Sequence, residues 1–123
     1  MDFNAFVSTD TASCTIKHPV SGETTEIVIS VYGMDSKKFR QMTLDAQKSA
    51  LKAKAAKQEP EDSVEKDCER LAELTAGWSG IEDGGKPIKF SKAAAIDVYM
   101  RAPEIRRQVD RFIFQVGNFL PKA

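Results

Sequence analysis

The sequence predicts an α+β fold, an N-terminal β-hairpin packed on a bundle of about four helices and mostly helical. Three observations predict it. Ala12, Cys14 and Ile16 alternate with polar neighbours, and the β-branched run from Thr25 to Tyr32 follows after a turn at His18–Glu23. Beyond Gly33, apolar residues recur at helical spacing in several segments. Between those segments lies one glycine-rich stretch, GWSGIEDGGKPIKFS over 77–91, with the single Trp and four of the seven glycines.

Taken in order, residues 1–11 are polar but for Phe3, Phe6 and Val7, and read as a loose tail or a docking segment. The hairpin spans 12–33. Two strands alone are marginal, so they must pack on helices or extend a sheet. A helical hairpin is expected over 35–76. Asp35 or Ser36 caps its first helix, which runs to about Lys57 with Phe39, Met42, Ala46, Ala50 and Ala53 on one side and Leu44, Leu51 and Ala55 nearly opposite. Two such stripes suit two packing partners, or one intramolecular and one intermolecular partner.

The chain breaks at Glu59-Pro60-Glu61-Asp62, and Asp62 with Glu65 supplies the next cap. Val64, Cys68, Leu71, Thr75 and Trp78 then form a stripe, with Gly77 as a left-handed helix end. The first helix is basic (Lys37, Lys38, Arg40, Lys48, Lys52, Lys54 and Lys57 against Asp45) and the second acidic, which predicts an antiparallel pair with offsetting charges.

Over 77–91 we expect an ordered loop. Asp83-Gly84-Gly85 is a tight turn, Lys86-Pro87 is extended, and Trp78, Ile81, Ile88 and Phe90 tuck back onto the helices. Two C-terminal helices fill 92–120. Ser91 caps the first, with Ala93, Ile96 and Met100 inward. Pro103 starts the second, whose apolar face is Ile105, Val109, Phe112, Ile113, Val116, Phe119 and Leu120, leaving Phe114 outside among Arg107, Asp110 and Arg111.

The composition is that of one modest globular domain. Its 123 residues carry 18 basic and 18 acidic side chains, so bulk charge argues for neither nucleic acid nor a membrane surface. No apolar run reaches the roughly 20 residues of a membrane span, and the first residues lack a basic leader or secretory segment. Cys14 and Cys68 read as two buried free thiols. The sole histidine, His18, sits in a turn, which favours a structural role over catalysis. Cys14 and His18 lack further ligands for a metal, and Asp83–Lys86 lacks the spacing of a phosphate-binding loop. No cofactor and no enzymatic machinery are expected. Exposed Phe114 beside two arginines fits a protein-binding spot.

Gly77, Trp78, Gly80, Ile81, Asp83, Gly85 and Pro87, with Phe90 and Ser91 after them, resemble the middle of small tail assembly chaperones of lambdoid long-tailed bacteriophages. The His-Pro-x-x-Gly-Glu turn at His18–Glu23 and the Ser-Lys-Lys-Phe-Arg helix start at Ser36–Arg40 are similar in layout. The resemblance implies a protein that binds the tape measure protein, keeps it soluble until tail tube subunits assemble round it, self-associates and has no enzymatic activity. It implies a place in the host cell cytoplasm and absence from the mature virion. It also implies a longer −1 frameshift form that recruits tube protein. Two other classes stay open: a structural minor tail or connector protein of the virion, and a small nucleic-acid-binding regulator. On these grounds Phe39, Met42, Leu44, Leu51, Arg107, Arg111 and Phe114 are the candidate partner-binding residues, and the Gly77–Pro87 set is structural. If Leu120-Pro121-Lys122 encodes a slippery heptamer, the gene reads CCA or CCC at Pro121. Any other codon there, with no further slippery site before the stop, excludes the longer form.

Overall fold

The computed structural model describes residues 2–56 and 63–120. The expected helix end at Lys57, the break at 59–62, the Asp62 cap, and Pro121 and Lys122 lie outside them, as do the side chains of Ala53, Lys54 and Ala55. The fold is α+β, as the sequence predicts. Its elements are β1 (Thr11–Lys17), β2 (Thr24–Tyr32), α1 (Lys37–Ala56), α2 (Ser63–Glu73), β3 (Thr75–Ser79), β4 (Glu82–Asp83), β5 (Lys86–Pro87), α3 (Lys92–Arg101) and α4 (Pro103–Ile113). Short 3-10 turns lie at Phe3–Phe6 and Val116–Phe119.

β1 and β2 form the hairpin, pairing Ala12 with Val31 and Cys14 with Ile29. Cys14, Ile16, Ile29 and Val31 are buried on one face, while Ser13 and Thr15 are exposed on the other, as strand alternation requires. The turn is closed by His18, whose backbone N–H donates to the Glu23 carbonyl at 2.7 Å. Its Nδ1 accepts from the Val20 and Ser21 N–H groups at 3.2 and 3.4 Å, so this imidazole caps its own turn.

The hairpin acquires a third strand that the sequence reading divided between the end of a helix and the ordered loop after it. α2 ends at Glu73, and Thr75 to Ser79 pairs antiparallel with β2, Trp78 opposite Ile29 and Gly77 opposite Ser30. Thr75 and Trp78 therefore do not extend the helical stripe, and Gly77 does not have the positive φ of a left-handed helix end. The free edge of β2 decides this. A helix continued past Leu74 would leave that row of backbone groups without the Thr75–Ser79 partner. Thr75 makes the changeover without an orphan. Its hydroxyl donates to the Leu71 carbonyl at 2.7 Å, where a helical N–H would have bonded, and pairs with the Tyr99 hydroxyl at 2.6 Å. Because the Thr75 proton goes to Leu71, the Tyr99 hydroxyl is the donor in that pair.

After β3 the chain turns at Gly80, where φ is +81° and a Cβ would stand 2.2 Å from the Glu26 carbonyl oxygen. β4 and β5 form a minimal hairpin around Gly84 and Gly85, both at positive φ. Ile81 is buried. The Trp78 indole N–H donates to the Ile88 carbonyl at 2.9 Å, and its ring meets Phe90 edge-on at 5.0 Å. Arg101 reaches back from α3 to Asp83 at 3.5 Å and to Asp97 at 3.1 Å.

Ser91 caps α3, accepting from the Ala94 N–H at 3.0 Å. The helix is rotated from the expected face. Ala95, Val98 and Tyr99 are buried and Ile96 is half-buried, while Ala93 and Met100 are exposed. Three consecutive alanines leave the phase of this segment undefined, and the buried partner of the Tyr99 hydroxyl fixes it. Arg106 of α4 donates to the Tyr99 carbonyl at 3.3 Å and approaches the Cys68 sulfur at 3.7 Å, locking the α3–α4 corner onto α2.

α4 also stops short of the expected Leu120. Phe114 is its C-cap, and the Asn118 side chain donates to the Phe112 carbonyl at 3.0 Å. The turn that follows swings Phe119 into the core against Phe112, their rings 5.6 Å apart, and leaves Val116 exposed. Gly33 provides the room, since a Cβ there would stand 2.9 Å from the Phe119 ring. The turn also covers the start of β1, where the Thr9 N–H donates to the Phe119 carbonyl at 2.7 Å. At the other end of β1, the Gln108 amide bonds both the N–H and the carbonyl of Lys17 at 2.8 Å.

Both thiols are free and buried, and burial pushes the Cys14 thiol up to about 11 and the Tyr99 hydroxyl up to about 12. Replacing Thr75 with Val strips the buried Tyr99 hydroxyl of its acceptor, at a cost of about 1–3 kcal/mol. Replacing Tyr99 with Phe leaves the Thr75–Leu71 bond intact and costs about 0.5–1.5 kcal/mol. Urea unfolding of the two variants checks the order, and a Tyr99→Phe protein less stable than Thr75→Val reverses the donor assignment.

Candidate functional site

α1 differs from every other helix in how little of it is packed. Ser36 starts it, accepting from the Phe39 N–H at 3.1 Å while donating its own proton to the Gly33 carbonyl at 2.7 Å. Phe39 and Met42 pack against the core, but every residue from Thr43 to Lys52 is exposed. The antiparallel pair expected from the opposite charges of α1 and α2 is therefore open over most of its length. An ion pair joins the two at the base, Lys38 to Glu73 at 2.9 Å. Exposed pairs of this kind are too weak to close a helix–helix interface without an apolar seam. No such seam exists among the described residues. α2 spends Cys68, Leu71 and Ala72 on the core and turns Lys66, Glu69, Arg70 and Glu73 toward α1.

What remains is a groove of about 1060 Å³ between the helices. Its α1 wall carries an apolar strip of Phe39, Met42, Ala46 and Ala50 flanked by polar side chains, Gln41, Asp45 and Ser49 among them, and its α2 wall is charged. Leu74 and Ile96 lie at the closed end beside Lys38, Glu73 and Lys92. Glu73 is the clasp there. It pairs with Lys92 of α3 as well as Lys38 of α1, and these two ammonium groups, Lys92 foremost, hold its carboxyl below the usual carboxylate range.

Of the candidate residues, the structure brings together Phe39, Met42 and Phe114. The Phe39 and Phe114 rings meet edge to face at 6.0 Å, so Phe114 extends the groove's aromatic end round to α4 while staying 45% exposed. Arg107 pairs with Glu104 at 2.8 Å, and Arg111 is exposed. Leu44 and Leu51, 52% and 69% exposed, stand apart from this cluster. Neither lines the groove. Glu73, Leu74, Lys92 and Ile96 were not singled out as site residues. Each reads locally as part of an ordinary helix, and no sequence signal marks them as neighbours. Gly77 and Trp78 lie in β3, Gly80 and Ile81 in the turn after it, and Asp83, Gly85 and Pro87 in the small hairpin, all away from the groove lining.

Among the described residues no three His, Cys, Asp or Glu side chains are grouped to hold a metal, and no helix is long and apolar enough to cross a membrane. The chain matches no protein-family model, no curated protein and no solved structure.

The clasp has a pH signature. A carboxyl whose folded-state pKa lies below its unfolded value contributes stability that is complete above the ordinary carboxylate range and is lost as pH falls through the lowered value. Glu73→Gln is expected to melt lower than the native protein at pH 7, by no more than about 1 kcal/mol per exposed pair lost. The gap should narrow below about pH 4. Thermal melts from pH 7 to 3 check it, and a gap independent of pH removes Glu73 from this role.

Proposed function

We propose that this protein is a tail assembly chaperone of a long-tailed bacteriophage. It binds the tape measure protein in the α1–α2 groove, keeps it soluble and helps recruit tail tube subunits. The observation that carries this reading is a helix with no buried side chain from Thr43 to Lys52, set beside a groove with an apolar strip on one wall and charged side chains on the other. Such a groove takes an amphipathic helix: apolar side chains of the client face Phe39, Met42, Ala46 and Ala50, and polar ones face α2. Contacts of this kind hold a client without a deep pocket, which suits a partner that has to be released. The resemblance of the Gly77–Pro87 stretch to tail assembly chaperones supports the same reading.

On this proposal the protein is not an enzyme. It acts in the host cytoplasm, associates with copies of itself, reaches tube protein through a longer frameshifted form and leaves before the virion matures. Co-expression with the protein encoded immediately downstream, followed by pull-down and light scattering, tests it. A soluble complex with an otherwise insoluble, helical partner is expected, and Ala46→Glu with Ala50→Glu should weaken it at least about tenfold, or 1.4 kcal/mol. Absence of a complex, with the protein recovered from purified particles, overturns the proposal in favour of a structural tail component.

A further inference from the structure

The face of α1 turned away from the groove carries a second pattern. Lys37, Arg40, Leu44, Lys48 and Leu51 fall within about 80° of arc at 3.6 residues per turn, and all five are exposed. Leu44 and Leu51 are one heptad apart, the spacing by which one helix meets another along a seam. Lys37, Arg40 and Lys48 frame them, and none of the three is in an ion pair among the described residues. Asp45, the acidic residue of α1, lies on the groove side.

We infer that this outer face of α1 is a docking site for an acidic amphipathic helix of another protein, one with two apolar residues a heptad apart and carboxylates beside them. Charge complementarity selects that occupant. Two copies of this face set against each other would bring Lys37, Arg40 and Lys48 of both chains together, and like charges across a seam are unfavourable. A nucleic acid would satisfy the cations and leave Leu44 and Leu51 against phosphate or water. The acidic helix satisfies both sets at once. The site is separate from the groove, so α1 has room to hold one partner on each side, and the inference stands whatever the groove binds.

Fluorescence anisotropy with the full chain tests it. The probe is a labelled peptide of about 20 residues with Leu at heptad spacing and Glu flanking, run beside a twin with Lys for Glu and a single-stranded RNA of equal length. The expected result is binding of the acidic peptide, weaker at high salt, and not of the Lys twin. Leu44→Ser with Leu51→Ser, and separately Lys48→Glu, should each weaken it at least about tenfold. Ala46→Glu with Ala50→Glu in the groove should leave it unchanged. Circular dichroism confirms that each variant is folded. Equal binding of both peptides, no binding, or an RNA complex indifferent to the leucine changes overturns the inference.

Discussion

The contact between Thr75 and Tyr99 is the one on which the packing order of this chain depends. Thr75 is the first residue of β3, and its hydroxyl also closes the last turn of α2 by taking up the Leu71 carbonyl. Tyr99 is fully buried on α3. One short chain of hydroxyl groups therefore fixes where α2 stops, where β3 begins and which way α3 is rotated. Among the described residues no buried side-chain polar atom lacks a partner, so the interior takes in these groups without an uncompensated cost. Arg106 extends the arrangement by binding the Tyr99 carbonyl, which ties α4 into the same corner.

Against that cohesive centre, α1 is held in another way. Its attachments are local to its first turns: Ser36 on Gly33, Phe39 on Phe114, Met42 on the core and Lys38 on Glu73. A helix of 20 residues is about 30 Å long, and from Thr43 to Lys52 none of its side chains is buried against the body that anchors it. Its alanines and lysines keep it helical without help from packing. Small side chains on the groove wall and leucines among cations on the far wall then give two surfaces of different character on a single element.

Much of this was legible in the sequence. The alternation in Ala12–Ile16 and the β-branched Thr25–Tyr32 run define the hairpin because strand period and composition agree there. Ser36 and Ser91 mark helix starts because their hydroxyls accept from first-turn N–H groups, and Pro103 because it has a preset φ and no N–H to leave unpaired. What could not be read was whatever depends on a partner distant in the chain. Leu71, Thr75 and Trp78 fit a helical stripe, and it takes the open edge of β2 to draw the last two into a strand. Opposite charge on neighbouring helices reads as attraction, but α2 had already committed its apolar face to α3 and α4. The groove exists because of that prior commitment, which no pattern within α1 or α2 reveals. Phe119 belongs to the same group: its place is set by the missing side chain of Gly33, 86 positions earlier.

The Gln108 amide beside Lys17 has a consequence for how copies of the chain behave when crowded. By bonding both backbone groups of Lys17 it stands where the next strand of a growing sheet would begin, and the Thr9–Phe119 bond covers the opposite end of the same strand. An uncovered strand edge is a template for aggregation through the backbone, which any sequence of suitable length can join. With β1 guarded at both ends, association along this side is directed to side-chain surfaces, which discriminate between partners. Sheet growth by backbone pairing is then hindered along the β1 edge, while α1 offers charged and apolar side chains instead.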